Sequence, residues 1–190
     1  SLGGTGLSGP VVDIAPTPSG AGYWLVAGDG GVFAFGDARF LGSLGGQTLP
    51  APILGIAASP SGAGYWLVGA DGGVFAFGAH FYGSGIEISP NAAVVELAPT
   101  PSGHGYWLLA ADGGVFAFGD APFAGSGVDD ERRDAIGIAA APGGTGYWVV
   151  RRSGVVQAFG APQLGDVSAL PASGVSYPAI GIAARTGGGY

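Results

Sequence analysis

The chain has 190 residues, 47% hydrophobic and only 10% charged, with 41 Gly, 14 Pro, no Cys and a net charge of −7. That length and apolar content fit a folded domain with a buried core rather than a disordered chain, and the missing cysteines exclude disulfides, thiolate catalysis and Cys-based zinc sites. All six basic residues are Arg, scattered at 39, 132, 133, 151, 152 and 185, so no basic stripe tracks a nucleic acid or an anionic membrane surface.

In chain order, Val11–Ala15 predicts a first strand, ended by the Pro and Gly of "PTPSG" at 16–20. Tyr23–Ala27 predicts a second strand. Asp29-Gly30 is expected to supply the positive φ angles of a tight hairpin, and Val32–Phe35 to return as a third strand. Gly36-Asp37-Ala38 then turns into a short fourth strand around Phe40-Leu41. No stretch carries a helical apolar period, and no apolar run reaches the ~18 residues of a membrane span, so membrane insertion is not expected.

The same series returns along the whole chain. Tyr-Trp stands at 23–24, 65–66, 106–107 and 147–148, with a last Tyr at 190, at intervals of 42, 41, 41 and 43 residues. "DGGVFAFG" recurs at 29–36, 71–78 and 112–119, and as "SGVVQAFG" at 153–160. The repeats run approximately 11–52, 53–93, 94–134 and 135–178, with partial copies at 1–10 and 179–190. Because the chain opens without Met and both ends cut a repeat, it is expected to be a window on a longer array.

Along the second strand Tyr23 and Leu25 alternate with Trp24 and Val26, so both faces are apolar and both must be covered. The next repeat is the available cover. Four-stranded antiparallel blades of about 42 residues, stacked face to face, describe an all-β propeller. A β-solenoid is the alternative, although its coils do not need an Asp-Gly hairpin in every repeat. The expected core is Tyr23, Trp24, Phe33, Phe35, Tyr65, Trp66, Phe75, Phe77, Tyr106, Trp107, Phe116, Phe118, Tyr147, Trp148 and Phe159. Repeats one and three share Asp13 and Glu96 at matched positions where repeats two and four have Gly55 and Gly137, which suggests duplication as a pair.

"GYWLVAGDGGVFAFGDARFLGS" and "GYWLVGADGGVFAFGAHFYGS" resemble the GYWLVASDGGVFAFGDAxFYGS repeats of secreted and cell-surface actinobacterial proteins. The resemblance spans essentially the whole chain. It implies propeller blades of the broad WD40 and Kelch type in an extracellular protein, often joined to a cell-wall hydrolase or peptidase, and it implies no catalytic residue in the repeat. The fourth repeat departs from the pattern, with Val156-Gln157 for Phe-Ala and Gln163 for Phe.

Other motifs carry less. "GTGLSG" at 4–9 has dinucleotide-type spacing, but Pro10 and a β run follow instead of a helix. The three turn aspartates (29, 71 and 112) fit hairpin geometry better than calcium, and His80 and His104 lack metal-ligand spacing, so no metal and no cofactor are expected. Asp13 and Glu96 would face a central channel, where paired carboxylates could do acid/base work or stand solvated. Function tends to sit on variable positions over a rigid frame, which singles out Arg39, His80, Tyr82 and Gln163, with the loops 45–52, 127–134 and 166–178. The chain is therefore expected to be a non-enzymatic secreted or cell-surface module that binds cell-wall polysaccharide or a surface protein. The alternatives are a structural array that self-associates through open blade edges, and an accessory domain of a hydrolase encoded outside this segment.

Overall fold

The computed structural model describes residues 9–128, 132–167, 178–184 and 190. Most of the opening partial repeat, residues 129–131 of the "DDERRD" loop and much of the 166–178 loop therefore lie outside the described residues. Among the described residues twelve strands form four antiparallel sheets: β1 (Val11–Pro16), β2 (Gly22–Ala27) and β3 (Val32–Gly36); β4 (Ile53–Ala58), β5 (Tyr65–Gly69) and β6 (Val74–Phe77); β7 (Val94–Pro99), β8 (Gly105–Ala110) and β9 (Val115–Gly119); β10 (Ala135–Ala140), β11 (Tyr147–Arg151) and β12 (Val156–Phe159). In each sheet the Tyr-Trp strand is central. The inner strands β1, β4, β7 and β10 neighbour one another in that order, and the sheets do not close into a ring.

The alternating apolar pattern produces the stacking. Trp24 and Val26 of the first sheet share a core with Tyr65 and Leu67 of the second. Trp66 and Val68 meet Tyr106 and Leu108, and Trp107 and Leu109 meet Tyr147 and Val149. From the second sheet on, the Tyr and the residue two after it thus face the preceding sheet, while the Trp and the residue two after it face the following one. Each ring buried this way contributes roughly 1.5–3 kcal/mol.

Three details differ from the sequence-based expectations. The hairpin is not a two-residue turn with two positive φ angles. The Gly30 amide donates to the Ala27 carbonyl at 2.8 Å, and of Asp29 and Gly30 only Gly30 is left-handed, at φ 80°. Asp29 instead accepts from the Gly31 amide at 2.9 Å, a bond repeated by Asp71 and Asp112. In the fourth repeat, Val156 pairs with Val150 and Gln157 with Val149, as Val32 pairs with Val26 and Phe33 with Leu25. The departure there is therefore Gln157 for Phe33, with Val156 conforming.

The third difference is that the sheets have three strands, not four. The segment expected as a fourth strand is held by side chains instead of a backbone ladder. Trp24 Nε1 donates to the Arg39 carbonyl at 2.9 Å. From the next sheet, the Tyr65 hydroxyl donates to Gly42 O at 2.7 Å and accepts from Leu41 N at 3.2 Å. Tyr106 and Tyr147 clamp the second and third repeats in the same way. Glycine is required at the end of each clamp. Gly42, Gly83 and Gly125 have φ of 139°, 140° and 126°, and a Cβ there would lie 2.5, 2.4 and 2.9 Å from the rings of Phe77, Phe118 and Phe159. Gly83→Ala is expected to lower stability by about 2 kcal/mol or more, read from the urea midpoint. An unchanged midpoint would mean that the segment is not clamped.

Candidate functional site

Two regions gather the residues singled out by the sequence. The first lies along the inner strands. Each inner strand carries a register shift at its second residue, between Val11/Asp13, Ile53/Gly55, Val94/Glu96 and Ala135/Gly137. A bulge of this kind re-aims the next side chain. In β1 and β7 it turns a carboxylate toward the following sheet. Asp13 Oδ2 accepts from Ile56 N at 2.9 Å and Glu96 Oε2 from Ile138 N at 2.7 Å. Asp13 Oδ1 also takes its neighbour Ile14 N at 2.7 Å. The receiving sheets have glycine at the matched position, and a Cβ on Gly55 or Gly137 would sit 3.4 or 3.3 Å from the incoming carboxylate oxygen.

These carboxylates line a cavity of about 300 Å³ together with Val12, Gly55, Ile136 and Ile180. Burial outweighs the amide bonds and pushes both acids up, Glu96 to about 7, with the charge of Asp13 adding to it. Among the described residues no three His, Asp or Glu converge on a metal-sized site. Asp13 and Glu96 therefore serve as straps between sheets, with their bonding committed to the backbone.

The second region is the band formed by the clamped segments. Trp24, Trp66, Trp107 and Trp148 donate to the carbonyls of Arg39, His80, Pro122 and Pro162, so these four residues occupy one matched position on successive sheets. Arg39 and His80 are exposed. Arg39 lines a cleft of about 220 Å³ with Asp37, Ser19, Trp24 and Ser61, so the cleft spans the first two sheets. Its floor is pre-arranged. Thr17 and Ser19 hydroxyls donate to the two oxygens of Asp37 at 2.9 and 2.5 Å and hold its carboxyl below the usual range. Thr100, Ser102 and Asp120 repeat that triad, with His104 lowering Asp120 further.

The other two candidates are tied back by hydrogen bonds, Tyr82 half-buried and Gln163 exposed. The Tyr82 hydroxyl donates to Gly103 O at 3.1 Å and its ring lies edge-on to Tyr106, bridging the second and third sheets, while His80 packs 4.7 Å from it. Gln163 folds back and donates to Val156 O at 2.9 Å. Beside them the sequence analysis overlooked a row of exposed phenylalanines. Phe40, Phe81 and Phe123 are 61%, 50% and 63% exposed at matched positions, whereas the Trp of every repeat is buried. The signal was present in the sequence, since these rings precede the clamped Gly by two residues, where alternation with an inward neighbour turns them out.

No protein-family model matches the chain, and no curated protein does. Among solved structures it is similar to the β-propeller domain of Cps50 (Swd1) from Myceliophteria thermophila, at 11% identity and a TM-score of 0.52, over 88% of this chain and 57% of that one. The chain thus spans little more than half the length of that domain. At such identity the likeness shows the fold alone, a repeated all-β arrangement of the β-propeller kind. No described helix is long and apolar enough to cross a membrane.

Proposed function

We propose that this chain is a non-enzymatic binding module of a secreted or cell-surface protein, and that its outer band recognises cell-wall glycan. One observation carries the reading: exposed Phe40 follows Arg39 of the cleft in the chain and exposed Phe81 holds the matched position in the next repeat, while the Trp of every repeat is buried. Exposed aromatic faces stack on the apolar faces of sugar rings, and a guanidinium beside a carboxylate held by hydroxyls suits hydroxyl-rich ligands. The likeness of the repeats to those of actinobacterial surface proteins supports the compartment.

Peptidoglycan pull-down and glycan-array binding test this reading. Arg39→Ala and Phe40→Ala should each weaken glycan binding about tenfold or more while leaving the unfolding midpoint in place. Binding that ignores both substitutions, or hydrolysis of the glycan by the purified chain, would overturn it.

A further inference from the structure

The cleft between the first two sheets holds two opposite charges that the fold keeps apart. Its carboxylate is built in. Ser19 and Thr17 donate to the two oxygens of Asp37 and hold it below the usual carboxylate range, so it stays charged at neutral pH. A Cβ on Gly22 would lie 2.5 Å from Asp37 Oδ1, so glycine there makes room for the acid. Each carboxylate oxygen still has a lone pair for a further donor.

The guanidinium is anchored through its backbone. Arg39 O accepts from Trp24 Nε1 at 2.9 Å and Leu41 N donates to the Tyr65 hydroxyl at 3.2 Å, which fixes the chain on both sides of exposed Phe40. Ser61 and Gly62 of the second sheet line the same cleft, and a Cβ on Gly62 would stand 3.7 Å from Pro18 Cγ. Asp37 and Arg39 are both exposed in this cleft, yet no ion pair joins them. Among the described residues the guanidinium has no hydrogen-bond partner.

The other seams lack this combination. The second and fourth sheets have Ala79 and Ala161 after Phe-Gly, with no acid there. The third repeats the acid as Asp120 but has Pro122 at the position of Arg39, and the cation acting on Asp120 is His104 of the preceding turn. Two charges of opposite sign in one concavity, not neutralising each other, complement a ligand that carries both. A purely anionic ligand meets repulsion from Asp37, and a purely cationic one from Arg39.

We propose that this cleft binds an amino sugar that also carries an acidic group, with the ammonium on Asp37 and the carboxylate or phosphate on the Arg39 fork. The assignment rests on the reading of the outer band as a glycan site and narrows it to zwitterionic sugar units.

Ligand-observed NMR titration of the whole chain with single sugars tests this, at about pH 6, where an amine of α-amino type is charged. Muramic acid carries an ammonium and a carboxylate, and glucosamine phosphate an ammonium and a phosphate. The better of the two names the acidic group. It should bind about fivefold or more tighter than its N-acetylated form, than glucosamine and than N-acetylglucosamine, which lack one charge or both. Arg39→Gln should remove the advantage over glucosamine, and Asp37→Asn the advantage over the N-acetylated form. Equal binding of all the sugars, tightest binding of a singly charged one, or no binding of any would overturn the proposal on the wild type alone. An advantage that survives both substitutions would overturn it as well. If peptidoglycan is still retained in the pull-down, that failure is confined to the zwitterion; if it is not, the glycan reading falls too.

Discussion

Arg151→Ala is expected to destabilise the chain by about 3 kcal/mol, measured from urea unfolding, with the loss concentrated in the fourth repeat. Arg151 is 1% exposed. Its guanidinium reaches Asp134 Oδ1 at 2.8 Å, Gln157 Oε1 at 3.1 Å and Gly127 O at 3.1 Å. Truncation removes the donor to all three and leaves a carboxylate and two oxygens in a partly dry site. The other sheets have Ala27, Gly69 and Ala110 at this position and Phe33, Phe75 and Phe116 at that of Gln157. The polar pair thus replaces a small-aromatic pair as a unit. Converting both members, Arg151→Ala with Gln157→Phe, should recover part of the single variant's loss, because the ring refills the space as in the other sheets and removes the stranded Gln157 oxygen, while the Asp134 carboxylate stays without the guanidinium. A single variant within about 0.5 kcal/mol of wild type would refute the account of this network.

The second large effect concerns pH. Glu96 titrates at about 7 in the fold against 4.5 for an ordinary Glu. Between those values the folded chain binds more protons than the unfolded one, so stability falls as pH rises from 4.5 to 7 and levels above it. At 1.36 kcal/mol per pH unit, the penalty at pH 8 is roughly 3 kcal/mol. Asp13, raised mainly by burial, acts in the same sense from its ordinary 3.8 upward. Asp37 and Asp120, held low by Ser and Thr hydroxyls, act oppositely, and their contribution is lost only as pH falls below 3.8. Glu96→Gln keeps an oxygen for the Ile138 amide and removes the charge. It should be more stable than wild type at pH 8 and lack most of the slope between pH 5 and 7. A variant that retains the wild-type slope would show that Glu96 is not the source.

Strands, hairpins and two-sided burial were legible because they depend on local alternation and on Asp-Gly punctuation. What escaped the sequence depends on partners a whole repeat away. The fourth segment reads as a strand by its apolar residues, yet the bonds that fix it come from Trp24 in its own sheet and Tyr65 in the next. Asp13 and Glu96 were recognisable as special but not as straps, because their acceptor role needs the register and bulge that bring Ile56 and Ile138 within reach. The coupling of Gln157 to Arg151 was hidden for the same reason. In the outer band, the variable Arg39 and His80 are exposed, while Tyr82 fills a gap between sheets.

The alternation of carboxylate and glycine along the inner strands also limits how these units can be shuffled. Copying the first unit over the second would set an acid at position 55, whose Cβ lies 3.4 Å from Asp13 Oδ2, and force two carboxyls into one gap. Copying the second unit over the first would leave the Ile56 amide without its acceptor. Units that look interchangeable as text carry a polarity, plug followed by socket. The smallest block that can be cut out or pasted in without a mismatch is two sheets, and any engineered array should grow in steps of two.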